Sequence, residues 1–243
     1  MRIAISGTAN SGKSTLLKNF LAVWDKYKTP EKTYREVIAE GGLTHSTETT
    51  TDTQWSILNF MVDEMQKHTK DSKVIYDRCP LDNLAYTLWA HGKGIEGFDK
   101  KFVDKCINIT KESMRQIDII FLLRYDPSIP IEEDGVRETN RDFIIEIDNI
   151  FAALYEQYRQ NYDADIFYPL NDSPAVIELP TSIQGRVDMI AEYVTPEGDF
   201  YGEESSIFAP DKLDELEQLV RAQNEALKQE QAEKDLWKKF GIK

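Results

Sequence analysis

Apolar positions along the chain alternate between short continuous runs and helical spacings of three and four, a rhythm that predicts an α/β layer fold with a mostly parallel sheet. Residues 3–6 read as a first strand. From Lys13 the side chains Leu16, Leu17, Phe20, Leu21 and Trp24 share one helical face. Residues 33–39 form a weaker, mixed strand candidate. Asp52 is placed to cap a helix whose stripe is Trp55, Leu58, Met61, Val62 and Met65. Residues 73–77 read as a third strand, stopped by Arg78-Cys79-Pro80, and Leu81, Leu84, Ala85, Leu88 and Trp89 mark the helix that follows.

Gly92, Gly94 and Gly97 predict a loop, and Phe102, Cys106, Ile109 and Ser113 fit another helix. Residues 117–123 are the most apolar segment, as expected of a central parallel strand buried on both faces. A polar stretch over 124–142 interrupts the order. Phe143, Ile147, Ile150, Leu154 and Tyr158 then predict a long helix, 175–179 a last strand, and Ile183, Val187, Ile190 and Val194 a last core helix. Residues 1–195 therefore read as one domain, and 196–243 as an acidic loop and amphipathic helical tail. The helix is expected near 211–239, where Leu213, Leu216, Val220 and Leu227 make a narrow apolar stripe that docks on its own domain or on a second copy. A homodimer is the assembly this suggests.

Charge and composition narrow the function. The 243 residues carry 29 basic and 43 acidic side chains, a net charge of −14, which argues against broad, sequence-independent wrapping of nucleic acid. Cys79 and Cys106 are too few for a disulfide framework and suit a reducing compartment. The apolar runs are too short to span a bilayer and the chain starts directly into a strand, so neither a membrane anchor nor a leader is expected, and the location expected is cytoplasmic.

The chemistry begins at Gly7-Thr8-Ala9-Asn10-Ser11-Gly12-Lys13-Ser14, a GxxxxGK[ST] octamer between a strand and an amphipathic helix. Its glycines let successive backbone N–H groups turn toward a phosphate, and the helix N-terminus adds its positive end. ATP contacts are expected from Gly7, Asn10, Ser11, Gly12, Lys13, Ser14 and Thr15, with Lys13 reaching the β- and γ-phosphates and Ser14 ligating Mg²⁺. Asp77, ending a neighbouring strand, supplies the second carboxylate for the metal shell, and Arg78 beside it faces transferred phosphate or substrate. The strand at 117–123 ends in Arg124 with no carboxylate, a pattern that leans away from motor-type ATPases and toward a small-molecule kinase. If the long helix begins near Arg137, Arg137 and Arg141 share one face and suit stabilisation of a transferring phosphoryl group. Glu36 is a candidate general base. His45, His68 and His91 lack ligand spacing and read as surface or structural residues, and Cys79 as inert packing.

Together with Glu36-Val37-Ile38-Ala39-Glu40, Asp77-Arg78-Cys79-Pro80-Leu81-Asp82-Asn83-Leu84-Ala85-Tyr86 and Asp134-Gly135-Val136-Arg137, the octamer makes residues 1–195 resemble the P-loop nucleoside and nucleotide kinases of phage and bacteria, including the nicotinamide-riboside kinase type with its AAA-type ATPase domain. The resemblance implies a three-layer fold with a five-stranded parallel sheet in the order 2-3-1-4-5, an acceptor lying over the carboxyl ends of the strands and a lid closing over ATP. It implies Glu36 and Asp77 as base and metal-shell residues, Arg78 as a substrate or phosphate contact, and Arg137 and Arg141 as lid arginines. The activity implied is transfer of the γ-phosphate of ATP, with Mg²⁺, to a small nucleoside, nucleotide or nucleotide-like acceptor by a phage-encoded enzyme in the host cytoplasm. Nucleic acid enters only as an acceptor, through a hydroxymethyl group on a modified pyrimidine in DNA. A regulatory NTP-binding module is the alternative from another class. The acidic tail departs from the minimal family pattern.

Overall fold

In a computed structural model that describes residues 1–44, 46–128, 131 and 138–201, strands β1 (Arg2–Gly7), β2 (Val74–Asp77), β3 (Ile119–Leu123) and β4 (Ala175–Leu179) form a parallel sheet in the order β2-β1-β3-β4. The two central strands, β1 and β3, are buried along their whole length. Their alternating side chains divide between two layers of helices. Ile3, Ile5, Phe121 and Leu123 pack against Leu16 and Phe20 of α1 (Lys13–Val23) and Ile190 of α7 (Ile183–Ala191). Ala4, Ile120 and Leu122 face Ala85 and Trp89 of α4 (Pro80–Gly92) and Phe143 and Ile147 of α6 (Arg141–Gln160). Each fully buried side chain of this size contributes about 1.5–3 kcal/mol. Outside α4, Leu58 of α3 (Thr51–Gln66) and Cys106 of α5 (Lys100–Ser113) close a further cluster around Leu84.

The three-layer α/β class therefore holds, but the sheet has four strands among the described residues where five were expected. Removing the second strand from the order 2-3-1-4-5 leaves the order observed. Residues 33–39 instead belong to a helix, α2 (Tyr34–Gly41). Local chemistry decides this: Glu36 accepts the Thr33 N–H at 2.6 Å in a capping box, Tyr34 and Ile38 fall on one face, and Gly42 ends the helix at φ 58°. β-branched Val37 and Ile38 gave the segment its strand-like appearance, yet the apolar positions are spaced four apart rather than two. Beside β2, where the second strand would lie, Lys28 alone pairs among the described residues: its N–H donates to Lys73 and its carbonyl accepts from Ile75, at 3.0 and 2.9 Å. Pro30 lacks the N–H needed to extend that pairing.

Two helix starts also move. Thr50, not Asp52, caps α3, its hydroxyl accepting the Thr53 N–H at 3.2 Å, and Asp52 sits in the first turn where its charge favours the helix dipole. Helix α6 begins at Arg141, behind an Asn140 cap that accepts the Phe143 N–H at 3.2 Å, rather than near Arg137. Arg137 and the rest of Asp134-Gly135-Val136-Arg137 lie outside the described residues, as does the tail helix expected near 211–239. The chain divides into two compact units, Met1–Asp199 and Phe200–Lys243. No described helix is long and apolar enough to cross a membrane.

Candidate functional site

The turn leaving β1 exists because its glycines remove side chains. A Cβ at Gly7, whose φ is 142°, would lie 2.3 Å from the Leu123 carbonyl oxygen, and one at Gly12, φ 88°, would lie 2.6 Å from Nη1 of Arg186. Asn10 between them takes a left-handed φ of 57°, which Asn tolerates. Helix α1 starts at Lys13 with no acidic residue in its first turn, so its open N–H groups and dipole face a ligand without competition. The loop is held from outside. The Thr8 hydroxyl donates to the Ile144 carbonyl at 3.0 Å, the Asn10 amide to the Glu138 carbonyl at 2.6 Å, and Ser11 back to the Thr8 carbonyl at 3.0 Å.

Lys13 is buried and folds back over this loop, donating to the carbonyls of Gly7, at 2.8 Å, and Thr8. Burial and the nearby Arg78 push its pKa down to about 7, against the pull of Asp82 and Asp77. Such a group regains full charge when phosphate oxygens arrive.

At the end of β2 the run Asp77-Arg78-Cys79-Pro80-Leu81-Asp82 folds as a capped helix start. Pro80 occupies the first turn of α4 and Asp82, at its third position, accepts the Cys79 N–H at 3.0 Å. The same carboxylate accepts the Ser6 hydroxyl at 2.7 Å, the Gly7 N–H at 3.2 Å and the Arg78 guanidinium at 3.1 Å. Arg78 takes a left-handed φ of 80°, uncommon for a non-glycine residue. Its guanidinium lies between the rings of Tyr34 and Tyr86, 5.2 and 5.4 Å from their centres. Burial opposes that charge, but Tyr34, Tyr86, Asp82 and Asp77 outweigh it and hold its pKa well above the ordinary value.

These groups surround a cavity of about 470 Å³. Gly12, Lys13 and Ser14 form one end; Tyr34, Ile38, Ile57, Met61 and Tyr86 make apolar and aromatic walls; Gln54 and Asn83 add amides. Asn83 donates to Oε1 of Gln54 at 2.6 Å, and Gln54 to the Thr49 hydroxyl at 2.9 Å.

Of the residues singled out from sequence, Asn10, Gly12, Lys13, Ser14, Thr15, Asp77 and Arg78 line this cavity, while Gly7 and Ser11 shape the loop behind it. Glu36 is not on its wall. Its exposed carboxylate caps α2, and the Thr33 N–H and hydroxyl hold its pKa below the usual range. Arg141 is exposed at the first position of α6, also off the wall. His68 meets the Tyr76 hydroxyl and the Glu64 carbonyl, both at 3.0 Å, and His91 the Phe98 carbonyl at 2.6 Å. His45 lies outside the described residues. The Cys79 thiol is fully buried, which pushes its pKa up to about 12.

Asp82 stands in the Asp77–Tyr86 run read from the sequence but receives no role there, and Arg186 is not singled out at all. A capping-box position three residues after Cys79 was the available signal for Asp82. Arg186 reaches Ser11 across 175 residues and had none.

For a divalent cation the fit is good. Ser14 and Asp77 are hard oxygen donors on the cavity wall, and Oδ1 of Asp77 is buried without a hydrogen-bond partner. Mg²⁺ characteristically takes one or two such protein oxygens and completes its shell with phosphates and water. Among the described residues no three His, Cys, Asp or Glu side chains gather into an all-protein cage.

A family model described as AAA domain matches residues 2–165, more than half of the chain, and the protein belongs to that family. Its fold is that of P-loop nucleoside and nucleotide kinases. Deoxyadenosine kinase from M. mycoides with products dCMP and dCDP bound is similar at a TM-score of 0.54 and 15% identity, over 78% of this chain and 96% of that one. The same kinase with bound dATP gives 0.50 and 19%, with the same coverage. NadR protein in complex with NR gives 0.55 and 15%, over 84% of this chain and 54% of that one. No curated protein matches the chain by sequence.

Proposed function

We propose that the protein is an ATP-dependent kinase that transfers the γ-phosphate to a nucleoside, nucleotide or nucleotide-like small molecule. The observation that carries this reading is the junction of a phosphate-binding loop with a cavity whose other walls are aromatic, apolar and amide-bearing, of a size that suits a small ligand. A polyphosphate on the loop meets the open N–H groups of α1 and the charge of Lys13. Ser14 and Asp77 hold Mg²⁺, which when bound neutralises charge on the phosphate oxygens. A heterocyclic ring fits among Tyr34, Tyr86, Ile38, Ile57 and Met61. Arg78, fixed by Asp82 and the two tyrosines, faces the phosphoryl group in transit.

Asp77 takes both roles that the sequence divides between it and Glu36, metal shell and proton acceptor for a hydroxyl acceptor, because its carboxylate borders the cavity and that of Glu36 does not. Arg137 and Arg141 keep their assignment to closure over ATP. Supporting this, the main chain at Glu138 and Ile144, on either side of Arg141, is bonded directly to Asn10 and Thr8 of the loop. An ATP-consuming enzyme of this kind works in the cytoplasm.

The test is ADP release and label transfer from γ-labelled ATP to a panel of nucleosides, nucleoside monophosphates, nicotinamide riboside and hydroxymethylpyrimidine DNA. Stimulation and labelling by one class of small acceptor is the expected result. Stimulation by none of them, or labelling of the DNA alone, overturns the proposal.

A further inference from the structure

Arg186 lies behind the phosphate loop, on the side away from the cavity, and is 4% exposed. Its Nε donates to the Pro180 carbonyl at 2.9 Å and its Nη2 to the Ser11 carbonyl at 3.1 Å. Nη1 occupies the space that a Cβ on Gly12 would fill. Both hydrogen-bond partners are neutral carbonyls, and among the described residues Arg186 forms no ion pair. Asp126 is the acidic group that acts on it, but that exposed carboxylate accepts the N–H and hydroxyl of Ser128 instead. Lys13, on the inner side of the same loop, likewise bonds to carbonyls rather than to a carboxylate. The loop is thus flanked by a buried guanidinium and a buried amine, neither bonded to a carboxylate, and an anion on the loop would complete the arrangement.

We infer that Arg186 is a positioning residue of the nucleotide site, which fixes the Ser11–Gly12 peptide from behind and supplies a positive charge that is balanced only when a polyphosphate occupies the loop. Three observations support this. The guanidinium grips the loop carbonyl immediately before Gly12, so it orients the peptide whose N–H leads into α1. Gly12 leaves room for it, which gives that glycine a second reason beyond its φ of 88°. The third is burial, which keeps the charge beside the Ser11–Gly12 peptide unscreened by solvent. The inference rests on the reading that the loop holds a polyphosphate and goes beyond the motif, whose residues end at Ser14.

The full-length protein and its Arg186→Gln and Arg186→Lys variants are titrated with ATP·Mg²⁺ and, separately, with inorganic tripolyphosphate, and their melting temperatures are recorded with and without each. Arg186→Gln is expected to raise Kd and KM for ATP by about tenfold, the worth of one charge-assisted contact. The loss falls on KM for ATP rather than on kcat or on KM for the acceptor. Arg186→Lys recovers part of the affinity, and the thermal shift given by tripolyphosphate shrinks in the order wild type, Lys, Gln. Unchanged affinities overturn the inference. So does a lower melting temperature without ligand accompanied by an undiminished ligand-induced shift, which is the signature of a purely structural arginine. Should the Gln variant not fold, the Lys variant carries the same comparison. A wild type that binds both ligands and transfers no phosphate retires the kinase reading and still measures Arg186.

Discussion

Asp82 and Arg78 meet at 3.1 Å and together hold the two peptide groups that flank Gly7 at the start of the phosphate loop: Asp82 accepts the Gly7 N–H at 3.2 Å and Arg78 donates to the Gly7 carbonyl at 3.3 Å. The carboxylate also serves the Ser6 hydroxyl and the Gly7 and Cys79 N–H groups, and neutralising it leaves a buried guanidinium without its counter-charge. Asp82→Asn is expected to cost about 3–5 kcal/mol, a fall in melting temperature on the order of 10 °C for a domain of this size. Thermal denaturation checks it; a fall of less than about 3 °C would show that the loop stands without the pair.

Lys13 makes stability depend on pH in a direction opposite to that of an ion-paired lysine. Its pKa is about 7 in the folded protein against 10.5 ordinarily, so between those values the unfolded chain binds more protons and stability rises with pH. Lys13→Met should flatten that rise in the unliganded protein. Phosphate oxygens favour the charged amine, so ATP binding near pH 8 should draw in a proton. Calorimetry in buffers of different ionisation enthalpy measures the uptake, and its persistence in Lys13→Met would assign it elsewhere. The same variant should lower turnover by about a hundredfold to a thousandfold, the loss expected when one charge-stabilising donor is removed.

The two carboxylates that the sequence offered as a base are separable by mutation. Glu36→Gln should leave turnover within about twofold, since its exposed carboxylate caps α2 outside the cavity. Asp77→Asn should lower turnover by about a hundredfold or more, in line with the loss of a positioned acid–base or metal-shell group. The reverse ranking in steady-state rates would return the role to Glu36.

Gly7 tests the backbone rather than the chemistry. Gly7→Ala places a methyl group 2.3 Å from the carbonyl oxygen of Leu123, where the two central strands are still paired at their carboxyl ends and the main chain of β3 cannot yield cheaply. The variant should be poorly soluble or melt well below the parent, whereas Ser14→Ala, on the exposed cavity wall, should keep the parent's melting temperature while losing Mg²⁺-dependent activity. Equal melting temperatures for Gly7→Ala and the parent would mean that β1 and β3 separate more readily than their burial implies.

Sequence periodicity located β1, β3, β4 and the long helices because each hides a face and must display that need in its spacing. It failed at α2, where Val37 and Ile38 carry strand propensity but the Thr33–Glu36 capping box and Gly42 prevail. The loop octamer was legible because its steric demands are local. Asp82 is a centre only after β1 and α4 come together, 75 residues apart at Gly7, and the grip of Arg186 on Ser11 requires α7 to close against α1. Contacts of that reach leave no pattern in a single chain.

The helix that replaces the fifth strand changes how this cavity can be altered. Tyr34 and Ile38 lie on α2, which rests on Ile57, Phe60 and Met61 of α3 in a small cluster of its own and contributes no strand to the sheet. One flank of the cavity is therefore independent of the sheet, exchangeable at Ile38, Ile57 and Met61 without shifting any strand register. In an enzyme with that wall on an edge strand, each such exchange would pull on the ladder that carries the phosphate loop. Among the described residues Tyr34 alone ties this wall to Arg78, so under the proposed kinase reading a library confined to Ile38, Ile57 and Met61 should change which acceptor is taken while leaving the Kd for ATP close to that of the parent.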